Sequence, residues 1–170
     1  TVPDKFYQLV EEDAPMYLFS PYDVERIYGK PFSYVDITKE YDNLVANPEI
    51  TKKKVNAREL EDEISKLQQE SGYPYIVNVD TVNKANPIEG TIVMSNLCSE
   101  IAQVQIPSRV NDDQTYETLG TDVSCNLGST NIANLMETPD LGRSVRAMMR
   151  GLTHISDAES LTVVPSIKHG

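Results

Sequence analysis

Apolar positions along the chain alternate between two periods, and the switches divide it into elements. Phe6, Leu9 and Val10 share one helical face near the start, and Pro3 suits a first helical turn, so a helix is expected there. Residues 16–32 mix aromatics with Pro21, Pro31 and Gly29 and read as loop with one short helical turn. Residues 38–47 form a helix that Pro48 closes. The clearest signal starts at Asn56, which with Glu59 gives the cap-x-x-Glu pattern that satisfies free N–H groups. Leu60, Ile64 and Leu67 follow at i, i+4 and i+7, and Gly72 supplies the stop.

Beyond Gly72 the period shortens. Residues 73–79 (YPYIVNV) are β-branched and aromatic, hence a strand, and residues 81–90 read as a turn-rich connector. Ile92, Val93 and Met94 make a short strand, and residues 107–122 are polar loop. Residues 122–128 place Val123, Cys125 and Leu127 on one face, as a strand would. Thr138 as cap and Pro139 at the first position then launch a second strong helix. Its apolar stripe is Val145, Met148, Met149, Leu152 and Ile155. Strands interleaved with helices give an α/β class.

Charge narrows the functions on offer. The chain carries 15 Lys and Arg against 26 Asp and Glu, a net charge of −11, which argues against a nucleic-acid partner because phosphate contacts need basic stripes. The one basic run, Lys52-Lys53-Lys54, reads as a solvated loop leading into a helix. No apolar run approaches the ~20 residues that span a bilayer, so no membrane is expected and a cytoplasmic location is the default. Cys98 and Cys125 are too few for a disulfide framework and belong to no CxxC pair; with two histidines in the chain, no metal site is expected. A start on a helix-like stretch without Met, and an end at PSIKHG, read as an interior piece of a longer chain, residues 1–170 being one partial domain.

Asn96, Cys98 and Glu100 are the residues with the most chemistry. In an extended segment, positions i, i+2 and i+4 face one side about 6–7 Å apart, while Leu97 and Ser99 face the other. The cysteine can be a nucleophile, a metal ligand or, after one-electron oxidation, a hydrogen-abstracting thiyl radical. The glutamate can act as general base if burial raises its pKa, and the asparagine amide can orient a hydroxyl. A nucleophilic cysteine wants a positive neighbour, whereas a carboxylate disfavours thiolate. The pattern therefore points toward thiol or thiyl chemistry. The alternative is a buried apolar cysteine beside a solvated glutamate. Tyr73, Tyr75 and Met94 read as core or loop packing.

Wider strings add to this. MYLFSPYDVERIYG, ESGYPYIVNVDTVNKANPIEG, SNLCSEI, DVSCNLGSTNIANLM and VPSIKHG, in this order, resemble the large catalytic (alpha) subunit of class I ribonucleotide reductases, of the class Ib subtype. The resemblance implies a partial piece of the ten-stranded α/β barrel of those subunits, carrying the active-site finger loop. It implies reduction of ribonucleoside diphosphates to 2′-deoxyribonucleoside diphosphates for DNA precursor synthesis, in an allosteric enzyme. By motif, Cys98 is similar to the cysteine that becomes the thiyl radical and removes the 3′ hydrogen. Glu100 resembles the base for the 3′-hydroxyl proton, and Asn96 the amide that holds the ribose hydroxyls. Asn96, Leu97, Cys98, Ser99 and Glu100 together match the substrate-contacting loop. Cys125, in SCNLGS, is similar to one of the two cysteines that reduce the 2′ carbon.

Further expectations come with the resemblance. The partner of Cys125 is expected upstream of Thr1, so Cys98 and Cys125 are not expected to pair. The phosphate-binding loop, the relay tyrosines, the mobile C-terminal cysteines and the effector site are expected in other segments. No cofactor is expected in this chain. The radical would come from a small (beta) subunit with a dimetal (Mn or Fe) tyrosyl radical, the electrons from a thioredoxin- or glutaredoxin-like dithiol, and the alpha chain would form a homodimer. The 170 residues alone are expected to be inactive. The alternative is a structural fragment of another thiyl or glycyl radical enzyme built on the same barrel.

Overall fold

The computed structural model describes residues 1–123, 125–159 and 164–169, except the side chains of Glu159, Ile167 and His169. It forms two compact units, Thr1–Val104 and Gln105–Gly170.

The first unit is built on helices α1 (Asp4–Glu11), α2 (Pro21–Tyr28), α3 (Ile37–Ala46), α4 (Ala57–Ser71) and α5 (Val79–Ala85) around strands β1 (Pro15–Phe19) and β2 (Lys52–Asn56). The strands pair antiparallel with Tyr17 opposite Lys54. Caps fix most helix ends. Asn56 Oδ1 accepts from the Glu59 N–H at 3.0 Å, and Gly72 closes α4 in the left-handed region at φ 79°. Asp36 caps α3, and Asp80 reaches back to accept from the first N–H of α1, on Asp4.

Helix α3 carries the core of this unit on two faces. Leu44 packs with Val24, Val35 and Ile50, while Tyr41, three residues earlier, packs with Leu9 and Ala57. Phe19 and Ile37 touch both clusters, and the Phe19 ring meets Tyr41 edge-on at 5.7 Å.

Several sequence expectations are corrected here. Lys52-Lys53-Lys54 is not loop but most of β2. Lysines along an edge strand keep other strands from adding to it, and Lys52 Nζ also donates to the Val45 and Asn47 carbonyls at the end of α3. Residues 16–32 hold β1 and the two-turn helix α2, whose N-cap is Ser20 and whose C-cap is Gly29 at φ 64°. The strand expected over 73–79 does not form. Its one pairing among the described residues is a bridge to Val2, with Val2 N–H on Val77 O at 2.8 Å and Val79 N–H on Val2 O at 3.0 Å. A β-rich run without a neighbour has nowhere to place its other N–H and C=O groups. The expected connector 81–90 instead begins inside α5, and residues 92–94 form no strand.

The second unit holds a small hairpin, β3 (Arg109–Val110) and β4 (Tyr116–Thr118), in a segment expected to be loop. Its turn is set by Asp113, whose carboxylate accepts from both the N–H and the hydroxyl of Thr115. Helices α6 (Ile132–Met136), α7 (Leu141–Glu159) and α8 (Pro165–His169) follow. The cap of α7 is Asp140 rather than Thr138: Asp140 Oδ1 accepts from the Arg143 N–H at 2.8 Å, because aspartate can satisfy the orphan N–H two residues nearer the helix. In the run 122–128, Ser124 lies outside the described residues, and the others form no strand. That segment lies against α7 instead of against another strand.

Candidate active site

Residues 95–101 leave the α5 region and turn back on themselves. The Ser99 N–H donates to the Asn96 carbonyl at 3.1 Å, and Ser99 takes φ 64°, so residues 96–99 make a β-turn. The Asn96 side-chain oxygen accepts from the Ile101 N–H at 3.1 Å, and the Ser95 hydroxyl donates to the Ile101 carbonyl. Both ends of the loop are therefore tied together, with Leu97 and Cys98 at its tip. The extended segment expected from the i, i+2, i+4 spacing is corrected. Asn96 uses its own carboxamide oxygen to close the loop, which a stretched chain would not allow.

The loop brings Asn96, Leu97, Cys98, Ser99 and Glu100 into one short span. Cys98 is a free, exposed thiol, Leu97 is 87% exposed and Glu100 is exposed, while Ser99 is half-buried beneath them. Within this chain Cys98 is therefore not a buried apolar filler. With its oxygen engaged, Asn96 has its amide N–H groups left to offer a ligand.

Sequence reasoning missed the exposure of two tyrosines. Tyr73 and Tyr75, expected to be packing, are 58% and 48% exposed, with ring centroids 5.0 Å apart. Tyr75 holds its proton above the usual tyrosine range, first through its hydroxyl interaction with Tyr73, then through the charge of Tyr73 and slight desolvation, with Cys98 adding to the effect. The pair is held by Ser71, whose hydroxyl donates to the Leu67 carbonyl at 2.7 Å and accepts from the Tyr73 N–H at 3.2 Å, and by Gln68, which donates to the Pro74 carbonyl at 2.7 Å. The signal was an aromatic doublet flanking a proline just past a helix stop. Met94 is likewise exposed.

Cys125 belongs to the second unit and is also free and exposed. Its neighbour Asn126 donates to the Ser156 hydroxyl on α7 at 2.6 Å. Among the described residues no three His, Cys, Asp or Glu side chains converge as a metal-ligand set, and no helix is long and apolar enough to cross a membrane.

Compared with known families, all of residues 1–170 match the one described as "Ribonucleotide reductase, barrel domain". The chain belongs to this family. It is 44% identical over 170 residues to the ribonucleoside-diphosphate reductase subunit alpha of Mycoplasma pneumoniae, covering 99% of this chain and 24% of that protein. The same subunit of Mycoplasma genitalium is 44% identical over the same share, and that of Bacillus subtilis is 38% identical over 98% of this chain and 24% of its own. The chain spans about a quarter of the length of these curated relatives. Membership of a reductase barrel family agrees with the mixed α/β architecture; among the described residues the strands form two-stranded sheets and no closed barrel.

Proposed function

We propose that these 170 residues are an interior slice of the catalytic barrel of a class Ib ribonucleotide reductase alpha subunit, with residues 95–101 as its finger loop. The parent then reduces ribonucleoside diphosphates to 2′-deoxyribonucleoside diphosphates. The observation that supports this best is the coincidence of a chain-long family match with a free thiol at the tip of a tied loop.

The chemistry follows from the groups on that loop. As a thiyl radical, Cys98 takes the 3′ hydrogen of the ribose: the C–H bond breaks, S–H forms and the unpaired electron moves to the 3′ carbon. Glu100 accepts the 3′-hydroxyl proton, and the 2′-hydroxyl takes a proton from a thiol of the reducing dithiol and leaves as water. The amide N–H groups of Asn96 hold the ribose hydroxyls, while Leu97 and Ser99 complete the substrate-contacting surface. Two electrons come from a dithiol made of Cys125 and a cysteine outside these residues, which becomes a disulfide and is restored by exchange with a thioredoxin- or glutaredoxin-like reductant. The oxidising equivalent for Cys98 comes from a small subunit bearing a dimetal tyrosyl radical. A radical needs a closed, water-poor site, whereas this loop is exposed in the first unit, so closure falls to other segments of a dimeric, cytoplasmic parent.

The test is Cys98→Ser in the full-length alpha subunit reconstituted with its small subunit. Turnover is expected to vanish while nucleotide binding stays within about twofold of wild type. Deoxynucleotide formation at wild-type rates would remove Cys98 from the radical role.

A further inference from the structure

Residues 125–128 run along one face of α7, and two contacts fix their register. The first is the hydrogen bond from Asn126 Nδ2 to Ser156 Oγ at 2.6 Å. The second is the seat of Gly128: a methyl group added there would stand 2.7 Å from Met148 Cε and 3.3 Å from Leu152 Cδ2. Met148, Leu152 and Ser156 follow one another at i, i+4 and i+8, so they form a single row on the helix. Asn126 meets Ser156, and Gly128 two residues later meets Leu152 and Met148 nearer the start of the helix, so the segment runs antiparallel to it.

We infer that α7 is the positioning element for the Cys125 thiol, through the Asn126–Ser156 hydrogen bond and the seat of Gly128 on Met148 and Leu152. Cys125 is exposed and directly precedes Asn126, so the clamp sets where its sulfur stands without covering it. The use made of that placement rests on the redox role proposed above for Cys125. The clamp itself does not.

The test uses the full-length alpha subunit, reduced beforehand, in which mass mapping reads Cys98 and Cys125 one by one. Each thiolate attacks the disulfide of 5,5′-dithiobis(2-nitrobenzoate), forming a mixed disulfide and releasing one thionitrobenzoate. In Ser156→Ala the Cys125 rate is expected to rise about fivefold, the population change that one neutral hydrogen bond supports. Ser156→Thr, which keeps a hydroxyl, should restore it. Cys98 should react at its wild-type rate. Asn126→Ala removes the same hydrogen bond from the segment's side and should act in the same direction. An unchanged Cys125 rate in both variants, or equal acceleration of both thiols, overturns the clamp. If the clamp holds but Cys125→Ser in the full-length subunit turns over normally, only the redox reading falls.

Discussion

The side-chain oxygen of Asn96 accepts the backbone N–H of Ile101 at 3.1 Å, so the residue closes the loop with its oxygen and keeps its amide N–H groups for the ribose contact proposed above. The two duties separate by substitution. Asn96→Asp keeps the acceptor and loses the amide donors, whereas Asn96→Ala loses both. Amide exchange at Ile101 should therefore quicken several-fold in the alanine variant and stay near wild type in the aspartate variant. In the full-length subunit both should slow reduction by roughly 10- to 100-fold, because ribose hydroxyls lose their orienting donors. Wild-type activity in Asn96→Asp would leave the residue with a purely structural duty.

What the sequence revealed and hid here has a physical pattern. Signals contained within one turn of chain were legible: the Asn56 cap, the Gly72 stop and the amphipathic stripe of α7 all depend on residues three or four apart. Pairing was not. The lysines of β2 hide their strand because alternation is invisible when both faces carry the same residue, and the β-branched run 73–79 lacks the neighbour that would make it a strand. At the site, the run 96–100 was legible as a motif, but its turn depended on where Ile101 would fall. The exposure of Tyr73 and Tyr75 depended on α4 ending at Gly72 with Ser71 and Gln68 in position.

The outer edge of β1 supplies a stability prediction. Met16 and Leu18 face β2, which leaves the Tyr17 N–H pointing outward, where it donates to the buried Tyr41 hydroxyl at 2.8 Å. Pro15, at the start of the strand, has no N–H to offer, so the edge is blunted at both positions. Tyr41→Phe removes the acceptor while keeping the ring packed on Phe19. It should lower unfolding free energy by about 1–3 kcal/mol in denaturant titrations with an unchanged slope. A change within about 0.5 kcal/mol would mean that water replaces the hydroxyl.

Two carboxylates predict the acid side of the stability profile. The Asp36 carboxyl is held below the usual range, chiefly by the Lys39 side chain at 2.7 Å, against partial burial. Asp23 is lowered by the Thr51 N–H first, then the Thr51 hydroxyl, with Ser20 and Arg26 assisting. A folded pKa below the unfolded value of 3.8 gives stability that is complete above about pH 4–5 and lost as pH falls through the folded value. The melting temperature should therefore hold between pH 7 and 5 and drop below about pH 4. Asp36→Asn should lose stability at pH 7 and converge on wild type near pH 2. A difference between the two that stays constant over this range would contradict the linkage.

In the mechanism proposed above, Cys98 makes the substrate radical and Cys125 helps to reduce it, and substitution of Cys125 separates the two steps. Hydrogen abstraction by Cys98 needs no net electrons, because the thiyl radical is regenerated when hydrogen returns to the 3′ carbon. Replacing the 2′-hydroxyl by hydrogen needs two electrons, and each product formed leaves one dithiol oxidised. Cys125→Ser in the full-length subunit removes one sulfur of that dithiol, so neither a protein disulfide nor its exchange with an external reductant can follow. The expected result is deoxynucleotide well below one equivalent per alpha chain, whatever the concentration of external dithiol, with substrate binding unchanged. Wild-type product accumulation over many turnovers would assign the reducing pair elsewhere and leave Cys125 as a clamped surface thiol.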